Sequence, residues 1–96
     1  MVSFSEILER REAILELASR HGARNVRVFG SVVRRQAGEG SDLDLLVRLD
    51  EGRSLVDHVA LIQDLEDVLG CRVDVVNERA LHTAIRDRVL AEAVPL

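Results

Sequence analysis

Two short stretches constrain this chain more than any other part of it: Val28-Phe29-Gly30-Ser31 and Ser41-Asp42-Leu43-Asp44-Leu45-Leu46-Val47. The first is an apolar run that ends on two small residues, where backbone N–H groups can come close to a phosphate. The second begins ten residues after Ser31 and opens on Asp-x-Asp. Strand side chains alternate with period two, so Asp42 and Asp44 lie on one side and Leu43, Leu45, Val47 and Leu49 on the other, as a buried sheet face requires. Carboxylates aimed at a phosphate-sized pocket would repel the phosphate unless cations stood between them. The pattern therefore implies a divalent metal, with magnesium suited to carboxylate and phosphate oxygens.

Around this centre the chain reads as alternating helices and strands. Ser3 to Arg20 reads as one helix, opened by a Ser3/Glu6 capping-box pattern and closed by Gly22. Asn25 to Phe29 is the first strand, and Val32 to Ala37 a short helix whose N-terminus favours an anion. Arg34, one turn in, can reach a phosphate or stand on a solvated helix face. Arg35 reads as solvated. Gly38, Gly40 and Ser41 punctuate a loop before the central strand, Asp42 to Leu49. Ser54 and Asp57 form a second capping box for a helix ending at Gly70, with Leu55, Val59, Ile62, Leu65 and Leu69 on its buried face. Arg72 to Val76 is the third strand and places Asp74 inside an apolar run, where a buried carboxylate needs a partner or a metal. Asn77 caps a last helix, about Arg79 to Glu92, with Leu81, Ile85 and Val89 inward and Pro95 as its stop.

This element order predicts an α/β (α+β) fold in one domain over residues 1–96: a small mixed three-stranded sheet with flanking helices, α-β-α-β-α-β-α. The first and central strands, if neighbours, are antiparallel. The central strand, its helix and the third strand make a right-handed β-α-β unit with parallel strands. Asp74 then comes alongside Asp42 and Asp44 at one sheet edge. An ion pair with Arg72, on the same face, is the competing role for Asp74.

Composition excludes other classes. The net charge is −4 and all basic residues are arginine, which argues against non-specific nucleic-acid binding. The only aromatics are Phe4 and Phe29, so base stacking is not a recognition mode. A lone Cys71 cannot form an internal disulfide and fits a reducing cytoplasm. No apolar run of membrane-spanning length and no signal peptide stand out, so no membrane partner is expected. His21, His58 and His82 lack zinc-site spacing and read as surface residues, Cys71 as a small buried hydrophobe, and Arg86-Asp87-Arg88 as a solvated face.

Asp-x-Asp alone is weak, and Gly-Ser weaker. Together at this spacing, followed by an acid inside a strand one helix later, they are specific. In "VFGSVVRRQAGEGSDLDLLV" the chain resembles the minimal nucleotidyltransferases, the smallest members of the DNA polymerase beta-type nucleotidyltransferase superfamily. The likeness extends through "CRVDVV" to the final helix. Two departures are Arg35, where many relatives carry glycine, and the absence of proline in Gln36 to Gly40.

The resemblance implies a polymerase beta-like nucleotidyltransferase fold and an enzyme using ATP as substrate and two Mg2+ ions. Asp42, Asp44 and Asp74 would be metal ligands and catalytic residues, with Asp74 accepting the proton of the attacking hydroxyl. Gly30, Ser31 and Arg34 would bind the nucleotide phosphates. Minimal nucleotidyltransferases are commonly paired with a helical HEPN-domain protein. In toxin–antitoxin pairs the nucleotidyltransferase is the antitoxin and adds AMP to a tyrosine of the ribonuclease toxin. A HEPN toxin is therefore the expected partner, in a homo- or hetero-oligomer. The two rival readings are an antitoxin that neutralises its partner by binding alone, and a nucleotidyltransferase that modifies a small molecule.

Overall fold

The computed structural model describes residues 2–34 and 42–96. Its elements in chain order are α1 (Phe4–Glu9), α2 (Arg11–Arg20), β1 (Ala23–Phe29), α3 (Ser31–Arg34), β2 (Leu43–Leu49), α4 (Leu55–Leu69), β3 (Val73–Asn77), a 3-10 turn (Glu78–Ala80), α5 (Thr83–Glu92) and β4 (Val94–Pro95). The expected helix beyond Arg34, the solvated reading of Arg35, the missing proline and the loop at Gly38, Gly40 and Ser41 lie outside the described residues.

The strand order is β3-β2-β1-β4. β1 and β2 are antiparallel, and β2 and β3 parallel, as the hairpin-like and β-α-β connections dictate. Where three strands were expected there are four: β4 pairs antiparallel to β1, with Val94 opposite Val28 and Pro95 opposite Arg27. Proline disfavours a helical residue before it, so α5 ends at Glu92 and Val94 is extended. An edge strand tolerates the missing N–H, and the next residue, Leu96, donates its own N–H to Val26 O at 3.0 Å.

The expected first helix is two helices, separated at Arg10 (φ −100°, ψ 11°). Ser3 Oγ caps α1 by accepting from the Glu6 N–H at 3.1 Å. β1 begins two residues earlier than expected, because a bulge between Arg24 and Arg27 absorbs Asn25 in a left-handed conformation, φ 52°. Asparagine tolerates that conformation better than most residues do. The Ser54/Asp57 capping box and the left-handed Gly70 that ends α4 are both present.

One face of the sheet carries the core. Val26 and Val28 of β1, Leu43, Leu45 and Val47 of β2, and Val73 and Val75 of β3 pack with Ile7, Ile14, Leu17, Ala18, Leu61 and Leu65 from the helices. On the opposite face Leu46 is also fully buried. The helix faces differ from expectation. α4 buries Leu61 and Leu65, whereas Leu55 is 74% exposed and Val59 is exposed too. α5 buries no residue, and Ile85, expected inward, is 47% exposed.

Of the histidines expected at the surface, His82 is exposed, whereas His21 and His58 join elements. His21 Nε2 meets Asp64 Oδ2, and His58 Nε2 meets Val75 O, each at 2.6 Å. His82 Nδ1 caps α5 by accepting from the Ala84 N–H. The half-buried pair Arg27–Glu78 ties β1 to the 3-10 turn. The hydrogen bond from Arg27 holds the Glu78 carboxyl below its ordinary range. Burial, with the negative charges of Asp42 and Glu66 nearby, pushes the Cys71 thiol up. Among the described residues no helix is long and apolar enough to cross a membrane.

Candidate active site

β1 delivers Gly30 and Ser31 to the sheet edge where β2 begins. Phe29 pairs with Asp44, and Asp44 pairs in turn with Asp74 across the parallel β2/β3 ladder. Alternation puts Asp44 and Asp74 on the sheet face that carries Leu46, away from the main helical core. Asp42 lies just ahead of β2 and stays tied to the sheet: its N–H donates to Arg72 O at 3.0 Å.

Gly30 is buried and left-handed, φ 77°, and a Cβ built on it would collide with Asp44 Oδ2. Glycine is therefore needed at this turn for a reason not foreseen. The space a side chain would take is held by Asp44, a candidate metal ligand. Ser31 opens α3, and Arg34 N–H donates to Gly30 O at 3.1 Å, closing the turn.

Two sequence expectations change. Asp74 is exposed, so its placement in an apolar run did not mean burial. β3 is an edge strand, and alternation sends Val73 and Val75 into the core and Asp74 to the other face. Arg72 pairs with Asp42 and not with Asp74. Its N–H donates to Asp42 Oδ2 at 3.2 Å and its guanidinium stands 3.9 Å from Asp42 Oδ1. Among the described residues no three His, Cys, Asp or Glu side chains are grouped closely enough to hold one metal ion together. The structure brings Asp44 alongside Asp74 and against Gly30, and it leaves Asp42 turned toward Arg72.

One residue at this site was missed. Glu92, in the last turn of α5, accepts the Gly30 N–H at 2.8 Å and binds Arg34 Nη1 through both oxygens, at 2.8 and 3.0 Å. The Gly30 N–H, read as a phosphate donor, is thus taken by a carboxylate of the chain itself. No spacing signal marks Glu92, since its partners lie about sixty residues away in sequence.

A family profile described as nucleotidyltransferase domain matches residues 10–96. The chain belongs to the nucleotidyltransferase domain family. Protein adenylyltransferase MntA of Thermococcus cleftensis is 45% identical over 92 residues, covering 91% of this chain and 93% of the relative. A solved structure described as a minimal nucleotidyltransferase superposes with TM-score 0.85 at 55% identity, covering 99% of this chain and 97% of that one. Two toxin–antitoxin complexes share the fold. One, with AMP-PNP, has TM-score 0.72 at 22% identity and covers 88% of this chain and 69% of that one. The other, a tri-AMPylated Shewanella oneidensis HEPN toxin with an MNT antitoxin, has TM-score 0.71 at 20% identity and covers 92% and 69%.

For a nucleotidyltransferase the donor chemistry at this edge suits a divalent cation. Two hard carboxylate oxygen donors, Asp44 and Asp74, stand at paired positions, Asp42 lies just ahead of β2, and the missing Cβ of Gly30 leaves Asp44 room against the turn. Asp42 would join such a site by turning its carboxylate from Arg72 toward Asp44.

Proposed function

We propose that this nucleotidyltransferase is a magnesium-dependent protein adenylyltransferase. It moves AMP from ATP to a hydroxyl, a tyrosine of a partner HEPN ribonuclease toxin, and so acts as that toxin's antitoxin. The observation that carries the reading is the register Phe29–Asp44–Asp74, which aligns two carboxylates beside the Gly30-Ser31 turn. The 45% identical relative named protein adenylyltransferase supports the reaction. The complexes with AMP-PNP and with an AMPylated HEPN toxin support the nucleotide and the partner. A lone Cys71 suits a cytoplasmic setting.

In this reading the acceptor hydroxyl oxygen bonds to the α-phosphorus, the bond from that phosphorus to the bridging oxygen breaks, and pyrophosphate leaves. Asp42, Asp44 and Asp74 are the residues that would hold the two magnesium ions. When bound, such ions neutralise phosphate charge and lower the pKa of the attacking hydroxyl. Asp74 takes the hydroxyl proton, as its exposed place beside Asp44 allows. The Ser31 hydroxyl donates to a phosphate oxygen, and the Arg34 guanidinium offsets the charge of the departing pyrophosphate.

The test is the double substitution Asp42→Asn with Asp44→Asn, which keeps size and removes two charges. Labelled AMP from ATP is followed onto the partner toxin. Transfer should vanish while the pair still co-purifies. Labelling at the wild-type rate would show that the ligands lie elsewhere. Full protection of cells from the toxin by the double variant would make docking the function.

A further inference from the structure

We propose that Glu92 is a positioning residue of the nucleotide site, fixing the Gly-Ser turn and the Arg34 guanidinium relative to each other. This rests on the reading above that Arg34 meets the triphosphate. Glu92 Oε1 takes two donors at once, the Gly30 N–H and Arg34 Nη1, and Oε2 takes Arg34 Nη1 again. Its side chain is 19% exposed and that of Arg34 48%, so the carboxylate is the inner partner and the guanidinium the outer one. A guanidinium offers five N–H donors in a rigid fork. Holding one nitrogen from the inside restricts where the others can stand toward a phosphate.

Glu92 is well placed to act as an anchor because the chain is held on both sides of it. Across it, α5 closes with the Ala93 N–H on Val89 O at 2.9 Å. After it, Val94 pairs with Val28 on the strand that ends in Gly30, and the Leu96 N–H donates to Val26 O. Helix, short strand and carboxylate therefore clamp both ends of the β1–α3 turn. The last residues of the chain become part of the nucleotide site, although none of them needs to touch the nucleotide.

The opposite role for the same contact is competition, a carboxylate standing where a phosphate oxygen would bind and yielding to it. The two roles differ in sign. The experiment measures the Kd for Mg-ATP on the full chain, by titration calorimetry well below every variant's melting temperature. It compares wild type, Glu92→Gln, Arg34→Ala and the double variant, with the Asp42→Asn/Asp44→Asn protein as control. Glu92→Gln should raise Kd roughly tenfold, the scale of one hydrogen bond to a charged group. The double variant should lose less than the two single losses combined, because Glu92 and Arg34 share one contact.

Tighter binding by Glu92→Gln makes Glu92 a competitor and overturns the proposal. Unchanged Kd with a lowered melting temperature makes it structural only, and additive losses in the double variant show that it does not work through Arg34. Either result also overturns it. If Arg34→Ala leaves Kd unchanged while the aspartate control abolishes binding, the phosphate role of Arg34 fails, and this proposal with it. If neither Arg34→Ala nor the control changes Kd, the nucleotide reading of the whole edge fails. Should Glu92→Gln not fold, Glu92→Asp carries the same measurement, with the charge kept and the reach shortened.

Discussion

At Gly30 two independent demands meet. The backbone is left-handed, and the place of a Cβ is filled by Asp44 Oδ2. Left-handed backbone at a residue with a side chain costs about 1–2 kcal/mol, so strain alone would lower the melting temperature by several degrees. Displacing Asp44 is a separate effect and falls on the chemistry, where a misplacement of ~1 Å can cost about a hundredfold in rate. Gly52 separates the two. It is also left-handed, φ 84°, and no atom lies within 4 Å of the point where its Cβ would stand. Gly52→Ala should lose stability by about 1 kcal/mol and keep its AMP-transfer rate, whereas Gly30→Ala should lose stability by a similar amount and most of its transfer. Urea unfolding and a labelled-AMP assay on both variants check this. Equal transfer rates in the two would mean that Asp44 has no part in the reaction.

At the scale of elements, what could be read from the sequence was local. β2 declared itself because alternation over Leu43, Leu45 and Val47 is a property of consecutive residues, and the same rule set Asp44 opposite them. The end of α4 was legible because Gly70 takes a backbone conformation that other residues avoid. Features that depend on distant partners were hidden. β4 is two residues long and carries no periodicity, and it exists because β1 offers an open edge. Asp74 looked buried because alternation assigns faces but does not say which face is covered. Glu92 was silent because its two partners lie about sixty residues away in the sequence. The buried side of α4 was misread for the same reason. Leu55 satisfied the helical period but faces solvent, while Leu61 is fully buried. Leu61→Ala should therefore cost about 2–5 kcal/mol, and Leu55→Ala no more than about 0.5 kcal/mol. Urea midpoints at constant m-value decide it. A larger loss at Leu55 would mean that the first turn of α4 packs against the sheet.

For the whole molecule the decisive quantity is the linkage between folding and nucleotide. Asp44 and Asp74 stand side by side at one edge of a sheet, with Asp42 just ahead of β2, in a chain of net charge −4, and none of the three is buried. A cation that binds this edge binds the folded chain and has little affinity for the unfolded one. Its binding free energy then appears as stability. At a free ligand concentration a hundred times Kd, the gain is about 2.7 kcal/mol. A domain of this size shifts by roughly 4–8 °C per kcal/mol, so Mg-ATP should raise the melting temperature by about 10–20 °C. ATP without magnesium should do far less, because the triphosphate then faces the carboxylates unscreened. In Asp42→Asn/Asp44→Asn the shift with Mg-ATP should collapse. The melting temperature without ligand should stay within a few degrees of wild type. Removing like charges relieves repulsion, and the amide oxygen introduced by Asp42→Asn can still accept the Arg72 N–H. Differential scanning fluorimetry of both proteins, with and without ligand, reads all of this in one experiment. An equal shift in wild type and double variant would place the cation away from this edge, and no shift in wild type would leave the chain without a nucleotide site of useful affinity.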